Sequence, residues 1–146
     1  MTCTFEIVMK KIAGMMLLTI AAMAAAGCGG SRDDVEKQGS VATVDCAEFE
    51  KFIAGDGVRL VDVRTAKEFA DGHIDGASNH DVNMDGFASG IEMQKGRKAR
   101  NTIAVYCRSG KRSLKAANML AEKGFVVYNL DGGILAWQRE GKNVVK

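Results

Sequence analysis

The sequence IAVYCRSGKRSLKAANMLAEK, residues 103–123, changes character twice over a short distance, and these changes predict the fold. Residues 103–106 are an unbroken apolar run with the length of a buried strand. A polar, basic stretch containing Gly110 follows, and helical spacing of apolar residues begins at about Ser113 and continues to Lys123. Gly124 closes this predicted helix, because glycine readily adopts the left-handed backbone found at helix ends. The segment is therefore predicted to be a strand, a tight loop and a helix.

Two further runs, residues 58–63 and 126–130, flank this segment and are mostly apolar, with little polar alternation. Such runs are typical of parallel strands that are covered on both faces, and the helices predicted between them supply the crossovers. Shorter strands are predicted at 41–44 and 77–80, and further helices after Asp45, after Thr65, around 87–93 and over 133–140. We predict an α/β fold, an open sheet of about five mainly parallel strands flanked by helices on both faces.

Capping signals mark two of the predicted helix starts. Asp45 stands three residues before Glu48, and Thr65 stands three residues before Glu68. This spacing lets the first side chain accept the backbone N–H of the third helical residue, while the acid can reach back to the cap. The second of these helices is short and is predicted to bury Phe69.

The composition limits the function classes. With 146 residues, 47% of them apolar and 26% charged, the chain has room for one globular domain. The net charge of only +2 argues against a nucleic-acid-binding surface. The four cysteines are far apart and form neither a C-x-x-C pair nor a Cys/His cluster, so no metal site is predicted. They are Cys3, Cys28, Cys46 and Cys107.

Residues 1–27 are predicted to be an export signal. Lys10 and Lys11 precede a charge-free stretch, residues 12–27, which is shorter than the roughly 20 residues that a membrane-spanning helix needs. The start codon is either Met1 or Met9. A plain secretory signal or an uncleaved apolar anchor is the alternative to the lipoprotein signal described next.

The signal ends in small residues directly before Cys28, and this resembles a bacterial lipobox. The resemblance implies that Cys28 is acylated and that the membrane is contacted through this lipid alone. Residues 28–40 are polar and are predicted to be a flexible tether, so the domain proper is predicted at 41–146. Gly29, rather than Asp, follows the cysteine, which favours the outer membrane, with the domain in the periplasm or at the cell surface.

Cys107 is the candidate nucleophile, because it lies where a buried strand ends and a helix begins. Backbone N–H groups of such a loop can converge on one point, and the helix amino end adds a positive dipole. Arg108, Lys111 and Arg112 add formal charge. All three effects favour the thiolate, so the pKa of Cys107 is predicted to lie below its ordinary value. The alternative is a cysteine that is merely packed at a strand end.

Other polar residues are given structural interpretations. Asp62 and Arg64 are predicted to brace the sheet edge, His73 to fix a turn, and Asp131 to cap the last helix. Trp137 is assigned to the core, and no partner is predicted for His80. Cys46 is either a packed cysteine, which is favoured, or a resolving thiol.

Four blocks in order resemble the rhodanese superfamily, and the resemblance covers the chain from about residue 41 to its end. They are Val61-Asp62-Val63-Arg64 with Glu68-Phe69, then residues 72–79, then residues 106–113, and finally Asp131-Gly132-Gly133 with Trp137. In the second block, Asp75 stands where the family often has proline. The third block is similar to the family's active-site loop.

This resemblance implies a sulfurtransferase that carries a persulfide on Cys107. Thiosulfate or a persulfide is the implied donor, and cyanide, a thiol or a partner protein is the acceptor, with no metal or organic cofactor. The implied substrate-binding residues are Arg108, Ser109, Gly110, Lys111, Arg112 and Ser113.

Two alternatives remain open. One is a persulfide carrier without turnover. The other is a phosphatase or arsenate reductase on the same fold, whose relatives typically place one residue more between the cysteine and the arginine than the four found here between Cys107 and Arg112.

Overall fold

The computed structural model describes residues 39–94 and 101–146. Within these ranges, five strands and five helices alternate along the chain. The strands are β1 (Ser40–Val44), β2 (Val58–Asp62), β3 (Ser78–Asn79), β4 (Thr102–Tyr106) and β5 (Val126–Leu130). The helices are α1 (Cys46–Ile53), α2 (Ala66–Ala70), α3 (Phe87–Met93), α4 (Lys111–Ala121) and α5 (Gly133–Arg139).

The strands of the described residues form one sheet in the order β1-β5-β4-β2-β3, and every pair in it is parallel. The predicted open, parallel α/β sheet is therefore confirmed. In the register of the central strands, Asp62 lies beside Tyr106, so β2 and β4 end together at the carboxyl edge. Cys107 is the first residue beyond that edge.

Both faces of the sheet are covered, as predicted. Along β4, Ile103 and Val105 contribute to a core with residues of α3 and α4, such as Ile91 and Leu120. The alternate residues of β4, Ala104 and Tyr106, contribute to a second core with residues of α1 and α5. A strand that is buried on both faces has no polar side, which explains its continuous apolar sequence.

The two predicted helix caps are present, but one packing prediction is only partly right. The Asp45 side chain accepts the Glu48 N–H at 2.8 Å, and Thr65 and Glu68 form both halves of a capping box. Phe69, predicted to be buried, is only half-buried and stacks on the His73 ring at 3.7 Å between centroids. A five-residue helix is too short to bury a full apolar face.

The helix after Cys107 begins earlier than predicted. It spans Lys111–Ala121, not 113–123, because Gly110 takes a left-handed conformation (φ +89°) and serves as its N-cap. Lys111, Arg112 and Ser113 are consequently residues of the first helical turn, although the sequence had placed the first two in the loop.

Some predictions fall on residues that the structure does not describe. These are the export signal (1–27) with Cys28, most of the tether, and the basic loop at 95–100. The predicted tether extends to residue 40, whereas Ser40 already pairs with Val126 as the first residue of β1. None of the described helices combines the length and the apolar character needed to cross a bilayer.

Candidate active site

Cys107 is a buried residue at the start of the turn that joins β4 to α4. Its exposed fraction is 1%, and its sulfur faces hydrogen-bond donors from the residues that follow it. The Gly110 N–H donates to Cys107 Sγ over 3.2 Å, and the Ser113 hydroxyl lies 3.4 Å from the same sulfur. The Ser113 hydroxyl also lies 3.1 Å from the Gly110 carbonyl oxygen, so its proton can turn to either acceptor.

These donors decide the protonation state of the thiol. Burial raises the pKa of Cys107, but the Ser113 hydroxyl and the backbone N–H groups of Ser113, Ser109 and Gly110 more than offset it, and the net pKa is lowered. The predicted direction is therefore confirmed, with hydrogen bonds to the sulfur as its main cause. The three backbone donors are fixed by the turn and by the first turn of α4, so they stabilise the thiolate without rearrangement.

Helix α5 holds the Cys107 turn in place through two backbone hydrogen bonds. The Ile134 N–H donates to the Cys107 carbonyl over 2.9 Å, and the Leu135 N–H donates to the Arg108 carbonyl over 3.2 Å. Because two carbonyls of the turn are fixed towards α5, the N–H groups that follow are free to face the sulfur. The approach is so close that a Cβ on Gly133 would lie 2.6 Å from the Arg108 carbonyl carbon.

This arrangement corrects the prediction for Asp131. Asp131 is exposed, the N-cap of α5 is Gly132, and no side chain caps the helix. The first N–H groups of a helix need acceptors, and here the carbonyls of Cys107 and Arg108 supply them. The active-site turn thus takes the place of a capping side chain.

Arg112 is engaged by a carboxylate that the sequence had explained otherwise. Glu68, assigned only to the capping box of α2, also binds the Arg112 guanidinium through two bonds of 2.8 and 2.6 Å. The Arg112 guanidinium, together with the Thr65 cap, holds the pKa of Glu68 down at about 2. This bidentate pair ties α2 to the start of α4.

The three predicted cations of the site therefore differ in availability. Arg112 is half-buried and paired, whereas Arg108 and Lys111 are exposed. Arg108 forms no ion pair with any residue in 39–94 or 101–146. Of the three, Arg108 is next to the nucleophile and also lines a pocket.

That pocket, which we call the side pocket, is an open cavity of about 280 Å³ beside the Cys107 turn. It lies between the segment that follows β2 and the first turns of α5. Its lining residues are Arg64, Glu68, Asp71, Gly72, Arg108, Ile134, Leu135 and Gln138.

A buried polar network supports the sheet edge next to the site, as predicted for Asp62 and Arg64. The fully buried Asp62 carboxylate accepts from Arg64 over 2.6 Å, and Arg64 also donates to the Gly72 carbonyl over 2.7 Å. The Tyr106 hydroxyl accepts the Ile74 N–H at 3.0 Å, and burial raises the pKa of Tyr106. The sequence placed Tyr106 at the end of a buried strand and at the head of the block 106–113, and neither placement predicts this contact of its hydroxyl.

The remaining predictions concern residues away from the sulfur. Cys46 is buried, and burial, with the neighbouring Glu140, raises its pKa to about 11, so its environment is that of a packed thiol. The His73 ring lies 3.1 Å from the Phe69 carbonyl oxygen and its backbone pairs with Val145, which fixes the turn as predicted. Trp137 is in the core. Burial lowers the pKa of His80.

Comparison with known proteins identifies the family of this chain. The sequence pattern of the rhodanese-like domain matches residues 45–140. The chain belongs to the rhodanese-like family. A sulfurtransferase of Allochromatium vinosum is 40% identical over 89 residues, which are 60% of this chain and 78% of that protein. A thiosulfate sulfurtransferase of Shewanella oneidensis is 40% identical over 82 residues, covering 55% of this chain and 75% of its own.

Solved structures agree with the rhodanese-like assignment. A rhodanese-related protein from Thermoplasma volcanium superposes with a TM-score of 0.59 at 26% identity, covering 70% of this chain and 96% of that one. In Bacillus anthracis, the protein CoADR-RHD contains a matching region at 32% identity and a TM-score of 0.60, covering 73% of this chain and 18% of that one. Of the four sequence blocks of this rhodanese-like chain, the first and third include the ends of β2 and β4, and the fourth includes the start of α5.

Proposed function

We propose that this protein is a sulfurtransferase that moves sulfane sulfur through a persulfide on Cys107. The observation that carries the proposal is the ring of donors around a buried sulfur whose pKa is lowered. An added sulfur atom on Cys107 is itself an anion at neutral pH, so donors that stabilise the thiolate also suit the persulfide. The relative from Shewanella oneidensis, a thiosulfate sulfurtransferase, supports thiosulfate as the donor.

In the loading step, the Cys107 thiolate attacks the outer sulfur of thiosulfate. A new S–S bond forms to Cys107, the original S–S bond breaks, and sulfite leaves with the bonding electron pair. The exposed cations Arg108 and Lys111 lie where they can attract the doubly charged donor. Arg112 acts differently, because its guanidinium is held by Glu68 and positions the first turn of α4.

In the discharge step, a thiophile attacks the outer sulfur of the persulfide. With cyanide, thiocyanate forms and the Cys107 thiolate is released with the electron pair of the broken S–S bond. A thiol or a partner protein would act in the same way in the cell. Neither step changes the total charge of the reactants, and neither requires a metal or an organic cofactor.

A phosphatase or arsenate reductase is the less favoured alternative. Such enzymes need a free guanidinium to hold the oxyanion beside the cysteine, and the Arg112 guanidinium is engaged on both of its terminal nitrogens by Glu68. The turn from Cys107 to Arg112 is also the shorter one. Both observations favour a single sulfur atom over a phosphate in this turn.

The deciding experiment is sulfur loading followed by mass spectrometry. Purified protein treated with thiosulfate should gain the mass of one sulfur atom, and this gain should map to Cys107. Cys107→Ser should abolish the gain. Cys46→Ser is the matched control, because Cys46 is equally buried but has a raised pKa, and it should still load. Hydrolysis of an aryl phosphate without sulfur loading would overturn the proposal.

Turnover separates an enzyme from a persulfide carrier. A sulfurtransferase should form thiocyanate repeatedly when thiosulfate and cyanide are both in excess. A carrier should load once and then stop. We favour the enzyme, because Arg108 and Lys111 remain exposed beside the sulfur, where small anions can reach them.

We further propose that the protein is exported and anchored to a bacterial membrane, with the outer membrane favoured, by a lipid on Cys28. This proposal rests on the sequence of residues 1–40 alone. It would place the sulfur transfer in the periplasm or at the cell surface.

A further inference from the structure

We infer that the side pocket is a subsite for a small zwitterionic thiol, a molecule with one ammonium and one carboxylate group, which accepts sulfur from Cys107. The inference rests on the proposed function and specifies its acceptor. It starts from the charges around the pocket.

Four charged side chains line the side pocket, and they fall into two kinds. Arg64 and Glu68 are satisfied inside the protein, by Asp62 and Arg112 respectively. Asp71 and Arg108 are exposed and form no ion pair with any other residue of the described ranges. The pocket therefore presents one unpaired negative charge and one unpaired positive charge.

The rest of the lining suits the short apolar part of such a molecule. Ile134 is buried, and Leu135 is 42% exposed, so an apolar surface borders the pocket near Arg108. A volume of about 280 Å³ lies just below the range of about 300–1,000 Å³ typical for drug-sized ligands, and so fits an amino-acid-sized molecule.

The position of Arg108 links the pocket to the chemistry. Arg108 follows Cys107 directly, and the backbone between them is fixed to α5 by the Ile134 and Leu135 N–H groups. A carboxylate on Arg108 and an ammonium on Asp71 would hold the thiol of the same molecule beside the turn that carries the persulfide. Two opposite contacts give orientation, which a single charge does not.

The transfer step balances without any further reagent. The acceptor thiolate attacks the outer sulfur of the Cys107 persulfide, and a new S–S bond forms on the acceptor. The bond between the two sulfurs on Cys107 breaks, and Cys107 leaves as a thiolate. The acceptor becomes a persulfide, and the protein returns to its starting state.

The test uses three thiols that differ by one charged group. L-cysteine has both groups, 3-mercaptopropionate lacks the ammonium, and cysteamine lacks the carboxylate. The full chain is first loaded with thiosulfate and freed of excess donor, and the rate at which each thiol removes the sulfur is then followed by mass spectrometry. Intrinsic thiol reactivity cancels when each rate is divided by that of a variant with the same thiol.

Asp71→Asn is expected to slow discharge by cysteine about three- to fivefold, the size of a partly screened ion pair, and to slow discharge by 3-mercaptopropionate less than this. Arg108→Gln is expected to slow discharge by cysteine more than discharge by cysteamine. Asp75→Asn is the matched control: Asp75 is also exposed and lies four residues further along the same segment, but does not line the side pocket.

Equal effects of Asp71→Asn on both thiols, no effect on either, or an equal effect of Asp75→Asn would each overturn the inference. The proposed function fails in a different way, because a protein that never loads sulfur from thiosulfate gives nothing to discharge. Loading followed by discharge that ignores the charged groups leaves the proposed function standing and removes only the subsite.

Discussion

The sulfur of Cys107 is governed by two opposing influences of different origin. Burial favours the neutral thiol, while one hydroxyl and three backbone N–H groups favour the thiolate, and the donors prevail. Only one of these donors is a side chain, that of Ser113. Replacement of that residue therefore changes the balance without altering the backbone.

Ser113→Ala is expected to raise the pKa of the Cys107 thiol, because it removes one hydrogen bond to the charged form. The sign follows from the removal of a donor to the thiolate, which leaves burial less opposed. The pH dependence of the rate of alkylation by iodoacetamide measures this pKa. Ser109→Ala is the control, because it keeps the backbone N–H through which Ser109 acts. An equal shift in both variants would contradict the assignment to the hydroxyl.

The ion pair between Glu68 and Arg112 leads to a second prediction, which concerns the pH dependence of stability. The pKa of Glu68 is lowered from 4.5 to about 2 by Arg112, so the unfolded chain binds more protons than the folded one between these values. The free energy of unfolding therefore falls as the pH decreases through this window.

Glu68→Gln should remove that part of the acid sensitivity, about 1 kcal/mol between neutral pH and about pH 3.5, a figure that already allows for partial solvent exposure. Urea unfolding at the two pH values measures the difference. Glu122→Gln changes an exposed carboxylate that forms no ion pair with any residue of the described part of the chain, and it should retain the acid sensitivity of the natural protein. Equal acid sensitivity in all three proteins would refute the role of this pair.

The sequence indicated Cys107 but not the partner of Arg112. Residue type and local setting are enough to single out the cysteine, since it directly follows a buried strand and precedes a helix. The partner of Arg112 lies 44 positions away along the chain, and the Glu68 side chain already had a sufficient local role as the acid of a capping box. Such an ion pair forms only because the folded chain brings two distant segments to the same edge of the sheet. The local sequence pattern does not encode that arrangement.

At the scale of elements, the start of α5 is the part that the turn most depends on. Gly133 has φ +59° and sits against the carbonyls of Cys107 and Arg108. Gly141, just beyond the other end of the same helix, has φ +73°, and a Cβ added there would point into open space. The two glycines share the left-handed backbone and differ in the space around them.

Gly133→Ala is expected to slow sulfur loading at least about tenfold and to lower the free energy of unfolding by roughly 2 kcal/mol more than Gly141→Ala does. The physical reason is that a methyl group at Gly133 must push the Cys107 turn away from α5. Loading rates and urea unfolding measure the two effects, and the alkylation pH profile reports on the turn itself. Identical behaviour of the two alanine variants would show that the close approach has no consequence.

The elements also show which helix limits the sequence could predict. The start of α1 agrees with the predicted cap at Asp45, because a side chain three residues before the acid supplies it. The start of α5 at Gly133 agrees with the prediction, whereas α4 begins two residues earlier than predicted. In both helices the cap is a glycine with positive φ, which no side chain signals. At α5 the carbonyls of Cys107 and Arg108 accept N–H groups of the first turn, so the Asp131 side chain is not used as a cap.

At the scale of the whole molecule, the architecture was predictable because it depends on hydrophobic pattern more than on individual contacts. Three mostly apolar strands separated by helices allow few arrangements other than a parallel sheet covered on both sides. The position of β1 at the outer edge beside β5 does not follow from that pattern, since β1 is short and largely exposed.

The proposed lipid anchor belongs to this scale, since it decides where the whole domain acts. The full chain produced in a bacterium should incorporate radioactive palmitate and sediment with membranes. Cys28→Ser should lose both properties, because the acylated residue is gone. Cys3→Ser is the control and should keep both. Retention of label by Cys28→Ser would contradict the anchor.

The contact between α5 and the Cys107 turn also has a consequence for the order of events during synthesis. The nucleophile is translated well before Ile134 and Leu135, whose backbone N–H groups fix the carbonyls of Cys107 and Arg108. Before Ile134 and Leu135 have packed against the turn, Cys107 therefore carries a thiol of ordinary acidity. The turn is held in its final form only when these two residues pack against it, so the lowered pKa of the thiol is a property of the folded domain and not of the unfolded chain.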